Sequence, residues 1–222
     1  MRKFCSVAAL LAFLTIGFSA SAATTDPFAK WEPEIQKFEA ADRAQMPPQN
    51  AILFVGSSSI RFWTNLAEAF PSHTTIRRGF GGSTMADLLH FVDRIVLPYR
   101  PKQIFVYEGD NDIAAGKAPE QVVSGFQQFV AKVHEKLPMT EINYIAVKPS
   151  PSRWKLEAKD RAVNDAIKNW AHSQSNVGYI DIWTPMLGKD GKPRPELFVA
   201  DKLHMNGTGY EIWRKVILPK MR

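Results

Sequence analysis

Two stretches of this chain carry residue types that could work together. Gly56-Ser57-Ser58-Ser59 follows an apolar run, and Asp201-Lys202-Leu203-His204 lies near the C-terminus, continuing into Met205-Asn206-Gly207-Thr208-Gly209. A serine hydroxyl becomes a nucleophile when an imidazole takes its proton, and a carboxylate on the other ring nitrogen holds that imidazole in the required tautomer. An Asp three residues before a His can supply that carboxylate, so the pairing points to hydrolytic chemistry.

Spacing alone does not single out His204. Of the five histidines, His73, His134 and His172 lack a carboxylate three residues upstream, but Asp87-Leu88-Leu89-His90 repeats the pattern. Asp87 has another explanation: Thr84-Met85-Ala86-Asp87 opens an apolar helical pattern through Leu88, Val92 and Ile95 and reads as a capping box, which leaves His90 a helix-surface or half-buried residue. Asp201 and His204 instead precede Asn206-Gly207-Thr208-Gly209, a turn into a last helical stretch, and so belong to a loop. Catalytic groups concentrate on loops held by a rigid scaffold.

The N-terminus reads as an export signal. Arg2 and Lys3 precede an apolar stretch from Val7 to Phe18, which ends in Ser19-Ala20-Ser21-Ala22, small residues suited to signal peptidase. That stretch is too short to span a bilayer. Residues 1–22 are therefore expected to be removed, leaving 23–222 as one domain in the periplasm or outside the cell, without integral membrane association. Cys5, the only cysteine, falls within the signal and is not followed by a lipoprotein-like pattern. The mature chain then has no disulfide, thiolate nucleophile or cysteine metal site.

With 45% of its residues apolar, the chain can build a single substantial core. The net charge is +6; without Arg2 and Lys3, 26 basic residues face 22 acidic ones. Arg77-Arg78 is the longest basic run and no row of aromatics alternates with lysines, so nucleic acid is not an expected partner.

Strand-length apolar runs at 51–55, 74–77, 103–107, 141–147 and 177–182 alternate with helical patterns near 59–70, 84–97, 119–136 and 156–174. A further helix is expected at about 28–44 and another after 207. Such alternation predicts an α/β fold, a parallel sheet covered by helices on both faces. Ligands of such sheets gather beyond the carboxyl ends of the strands. Gly56-Ser57-Ser58-Ser59 ends the first strand, Arg78-Gly79-Phe80-Gly81-Gly82-Ser83 the second, and Glu108-Gly109-Asp110-Asn111-Asp112 the third. Taken singly, each has a plain reading: serines that cap a helix, a flexible glycine turn, a polar turn. Lys148-Pro149-Ser150-Pro151-Ser152 marks a loop that could rim a pocket.

The order and spacing of all four blocks resemble the SGNH (GDSL-type) hydrolases over residues 52 to about 215, and most closely the subgroup with Gly-Ser-Ser-Ser before Ile60-Arg61-Phe62-Trp63. The resemblance implies a three-layer α/β/α sandwich, a five-stranded parallel sheet of flavodoxin-like type, and a serine esterase. It assigns Ser58 as nucleophile, His204 as base and Asp201 as its orienter. The backbone amides of Ser58 and Gly82 and the side-chain amide of Asn111 would bind the oxyanion. One departure stands out: Ser57 occupies the place where the family commonly has Asp.

No Gly-x-Ser-x-Gly elbow, phosphate loop, His-Glu-x-x-His motif, third glycine of a dinucleotide fingerprint or calcium loop is present, so no cofactor and no metal are expected. Trp63, Phe80 and Met205, with Trp154 and Trp183, could line an acyl or sugar pocket, although aromatics at such positions are more often simply core. The family includes lysophospholipases, thioesterases, arylesterases and carbohydrate acetylesterases. A carboxylic-ester hydrolase is the first expectation and a carbohydrate O-acetyl esterase the second. A non-catalytic envelope glycan- or lipid-binding protein is the alternative of another class.

Overall fold

Five short runs of the chain form the sheet: the three central ones bury nearly every residue, and the two edge ones only part of theirs. The structure, a computed structural model, describes Met1 and residues 26–222; the expected signal segment and its cleavage site lie outside the described residues. In chain order the elements are α1 (Glu32–Ala44), β1 (Ile52–Gly56), α2 (Ser58–Arg61), α3 (Leu66–Ala69), β2 (Thr75–Gly79) and α4 (Met85–Ile95). There follow β3 (Gln103–Tyr107), α5 (Asp110–Ala114), α6 (Pro119–Lys136), β4 (Glu141–Ile145), α7 (Glu157–Ala171), β5 (Val177–Ile180) and α8 (Gly207–Ile217). All strand pairs are parallel, in the order β2-β1-β3-β4-β5. Among the described residues no helix is long and apolar enough to cross a membrane.

Alternation along each strand divides the core in two. Leu53, Val55, Ile104, Val106 and Ile142 face α1, α4, α6 and α7, where Ile35, Phe91, Phe126 and Ile167 are buried. Ile52, Phe54, Phe105, Ile145 and Ile180 face the other way, against Ile60, Leu66, Trp213 and Ile217 of α2, α3 and α8. A strand buried on both faces has no polar side to show, which is why β1 and β3 read as continuous apolar runs.

Two expected elements differ. The helix expected over 59–70 is two single turns broken between Phe62 and Asn65. Thr64 and Asn65 are weak helix formers, and the break carries Trp63 inward to stack on Tyr210 and meet Trp213 edge-on. The polar turn expected at 110–112 is instead the start of a short helix, α5.

The capping box holds: Thr84 and Asp87 exchange hydrogen bonds at the start of α4. His90 lies on the helix surface, with its ring 3.9 Å from that of Phe28.

Asp160, buried in the first turn of α7, illustrates what burial does to a carboxyl. Loss of solvent, followed by the charge of Asp110, pushes its pKa up to about 7. The folded chain thus holds a proton that the unfolded chain releases above about pH 4, so stability falls as pH rises from about 4 to about 7 and stays reduced above that. Asp160→Asn removes this loss. We expect its melting temperature to exceed wild type at pH 8 by roughly 2–4 °C, the worth of about 1 kcal/mol in a chain of this size. The gain should vanish at pH 4; equal shifts at both pH values would rule the effect out.

Candidate active site

The strand order reverses at β1: the chain crosses from β1 to β2 on one side, then returns to β3 on the other. The crevice at the carboxyl ends of β1 and β3 is the switch point where open α/β sheets bind ligands. Gly56 makes the junction possible. Its φ is +136°, and a Cβ there would lie 2.0 Å from the Tyr107 carbonyl oxygen, so only glycine lets the chain turn this tightly beside β3. The turn delivers Ser58 as the first residue of α2, where its N–H has no intrahelical partner. The side chains of Ser57 and Ser59 point into the protein instead; both residues are buried and neither Oγ has a hydrogen-bond partner. Ser57 makes no side-chain capping bond, so among the three serines it is Ser58 that is left partly open.

Across the crevice, the loop 201–206 supplies the imidazole. Lys202 adopts a left-handed φ of +57°, which wraps the chain around the Asp201 carboxylate. Oδ1 of Asp201 accepts the backbone N–H of Leu203 at 2.8 Å and of His204 at 2.9 Å, while Oδ2 lies 2.6 Å from His204 Nδ1. Burial pushes the Asp201 carboxyl up, but the hydrogen bonds from the His204 ring and from the two amides outweigh it and bring its pKa down to about 2. An ionised carboxylate only accepts, so the ring proton sits on Nδ1 and Nε2 is left as the acceptor. Nε2 is 3.0 Å from Ser58 Oγ, placed to receive the serine proton. Asn206 anchors the far end of the loop by capping α8, its Oδ1 accepting from the amides of Thr208 and Gly209.

The loops after β2 and β3 are tied together. Ser83 Oγ donates to buried Glu108 Oε1 at 2.5 Å, and the Met85 amide donates to Asp112 Oδ2 at 3.0 Å. Burial pushes the Glu108 carboxyl well above the usual range, against the opposing bond from Ser83. Asn111 Nδ2 donates one hydrogen to the Ser83 carbonyl at 2.9 Å and keeps the second free. Gly82, next to Ser83, has a φ of +83°, a backbone state that L side chains rarely adopt; a Cβ there would meet only the Trp31 ring, at an ordinary 3.5 Å. It is the backbone angle and not space that requires glycine at this position. Ser58, Gly82, Asn111, Asp201 and His204 thus come from four loops to one edge of the sheet.

A model of the GDSL-like Lipase/Acylhydrolase family matches residues 18–212. The chain belongs to this family. Membership makes it an ester-bond hydrolase by family, in agreement with the four sequence blocks. The platelet-activating factor acetylhydrolase IB subunit alpha1 of Bos taurus is 23% identical over 187 residues, covering 82% of this chain and 78% of that protein. A solved Streptococcus pneumonia protein, described as a candidate platelet activating factor, superposes with a TM-score of 0.77 at 22% identity, covering 87% of this chain and 94% of its own. A mutant acetyl-xylooligosaccharide esterase from Geobacillus gives 0.63 at 13%, covering 78% and 94%. At these identities the solved structures share the fold of this GDSL-like chain.

Three residues expected at a substrate pocket lie elsewhere. Trp63, Phe80 and Met205 are 1%, 0% and 4% exposed, and they fill the cores that support the loops. Their apolar surface is spent on Phe54, Trp31 and other neighbours, so they have none to offer a substrate. Trp183 is also buried and packs against half-buried Trp154. The aromatic ring that does stand open is Phe62, 46% exposed and edge-on to His204 at 4.9 Å. Sequence reasoning passed over it because a helix through 59–70 gives position 62 no distinction; the turn of α2 buries Ile60 and Trp63 and leaves Phe62 facing outward beside His204.

Proposed function

We propose that this chain is an exported serine esterase in which Ser58, His204 and Asp201 act as a triad. The observation that carries the reading is the unbroken relay from Asp201 Oδ2 to His204 Nδ1 and from Nε2 to Ser58 Oγ, at 2.6 and 3.0 Å. His204 takes the Ser58 proton as Oγ attacks the ester carbonyl. The carbonyl π electrons move to oxygen, and the amides of Ser58 and Gly82 with the free Nδ2 hydrogen of Asn111 bind that oxyanion. Collapse expels the alcohol, which leaves with the proton from His204, and the acyl group remains on Ser58. Water, deprotonated by His204, then attacks the acyl carbonyl; the acyl–Oγ bond breaks, His204 returns the proton to Ser58 Oγ, and the acid leaves. Export through residues 1–22 is part of the proposal, since it puts the substrate in the periplasm or outside the cell. No nucleic-acid partner enters it.

Asn111 offers a separate check. Removing one oxyanion donor costs other enzymes about 100- to 1,000-fold in turnover, and we expect Asn111→Ala to fall by at least about 100-fold. Near-unchanged turnover would remove Asn111 from that role.

A carbohydrate O-acetyl esterase is the second reading, and the observation favouring it is Phe62. An exposed ring against the imidazole that protonates the leaving group offers a flat apolar face of the kind that packs on a sugar. Hydrolysis of p-nitrophenyl acetate against p-nitrophenyl octanoate by the mature protein, with Ser58→Ala as control, tests both. Ser58-dependent turnover supports the esterase, and preference for acetate supports the deacetylase reading over lipid-type substrates. No Ser58-dependent turnover, with no labelling of Ser58 by a fluorophosphonate, would favour the non-catalytic binding protein.

A further inference from the structure

Lys148 is a lysine that a fold normally keeps in water, yet it is 2% exposed. Its Nζ lies 3.0 Å from both Asp110 Oδ2 and the Tyr107 hydroxyl, and Tyr107 donates to the same carboxylate oxygen at 3.1 Å. Burial pushes the Asp110 carboxyl up, but the charges of Lys148 and Arg153 outweigh it and hold it below its ordinary range. Arg153 is the second cation on this carboxylate: its Nη1 is 3.2 Å from Asp110 Oδ2. Two buried or half-buried cations on one carboxylate exceed what neutralising Asp110 requires. The other face of the Arg153 guanidinium shows where the excess goes, because Nη2 donates to Asn111 Oδ1 at 3.0 Å.

That contact settles which way the Asn111 carboxamide faces. A guanidinium only donates and must meet the amide oxygen; the Ser83 carbonyl only accepts and must meet the NH2. Between them the group is clamped with one N–H left over. The turn that carries Arg153, a 3-10 helix over Pro151–Leu156, is itself anchored to the other half of the site, since the Ser152 amide donates to the Lys202 carbonyl at 3.1 Å. One segment therefore touches both the oxyanion side and the left-handed turn beside His204.

We propose that Arg153 is a positioning residue for the oxyanion hole: Asp110, itself held by Lys148, fixes its guanidinium, which orients and polarises the Asn111 amide so that the free hydrogen meets the developing oxyanion. The inference rests on the esterase reading of Ser58, His204 and Asp201. The competing account is that Arg153 only completes a buried ion pair.

A double-mutant cycle separates the two, with p-nitrophenyl acetate turnover measured for wild type, Arg153→Ala, Arg153→Lys, Asn111→Ala and the Arg153→Ala/Asn111→Ala double variant. We expect Arg153→Ala to lower kcat by about 10- to 100-fold with KM little changed, short of the full loss of a donor. Lysine cannot reach Asp110 and Asn111 together and should restore little. The double variant should be no slower than Asn111→Ala, and millimolar guanidinium should rescue Arg153→Ala but not the double variant. Multiplying effects, or unchanged kcat in Arg153→Ala, would overturn the proposal. A readout independent of hydrolysis is the side-chain NH2 signal of Asn111, identified in 15N spectra by its absence from Asn111→Ala. In wild type the two protons should lie away from the shifts of a solvent-exposed asparagine and exchange slowly with water, and in Arg153→Ala both should move toward those shifts and exchange faster; spectra that stay the same count against the clamp. If Ser58→Ala keeps wild-type turnover, the esterase reading fails while this spectral arm still decides the orientation.

Discussion

Ser58→Ala should lose nearly all turnover, by about 10,000-fold or more, with the fold intact. In serine hydrolases the nucleophile and base act as a unit, so removing either forfeits the covalent route and leaves only binding and oxyanion stabilisation. The three adjacent serines make this a discriminating test. Ser58 Oγ faces His204 Nε2 at 3.0 Å, whereas the hydroxyls of Ser57 and Ser59 are buried without partners. A buried hydroxyl that has already lost its water and gained no bond is no loss to remove. Ser57→Ala and Ser59→Ala should therefore keep both turnover and stability. Steady-state hydrolysis of p-nitrophenyl acetate by the three variants, with a fluorophosphonate mass increment mapped to one peptide, decides the matter. A Ser58→Ala variant retaining more than about a tenth of wild-type turnover would exclude Ser58 as the nucleophile.

Asp201→Asn is expected to cost about 1,000- to 10,000-fold in kcat with little change in structure. The local bonding explains why so small a change has so large an effect. The amides of Leu203 and His204 both need an acceptor where Oδ1 now stands. An asparagine must turn its oxygen there, which points its NH2 at His204 Nδ1. The ring then carries its proton on Nε2 and cannot take one from Ser58. Hydrogen bonds hold the Asp201 carboxyl down at about 2 despite the opposing effect of burial, so it stays ionised through any ordinary assay range. The defect should accordingly persist from pH 6 to 9 in a kcat profile. A loss of less than about tenfold would reduce Asp201 to a structural support for the loop.

Much of this was readable before any coordinates, and for identifiable reasons. β3 and α6 have the bounds their patterns predict, because buried parallel strands are continuously apolar and Pro119 marks a helix start. Asp201 and His204 could be singled out because a relay between neighbours in sequence leaves a spacing, and the rival Asp87 carried its own capping signature. Gly82 and Asn111 were legible only through the order of the blocks. Arg153 stayed hidden one residue past the loop that was noticed, since nothing in Ser152-Arg153-Trp154 says that this arginine turns inward to an amide 42 positions away.

What the sequence by itself determined is the set of elements, their parallel alternation and the loops that carry reactive side chains, all of which follow from local periodicity and turn chemistry. The tertiary structure alone decided which of those side chains meet. Reversal of strand order at β1 brings residues 58, 82 and 111 to one edge of the sheet, and the loop before α8 sets His204 3.0 Å from Ser58. Packing then withdraws Trp63, Phe80 and Met205 into the core and leaves Phe62 outside. The reason is physical: a side chain's partners across the sheet depend on strand order and register, which are properties of long-range pairing and leave no periodic trace in the segments themselves.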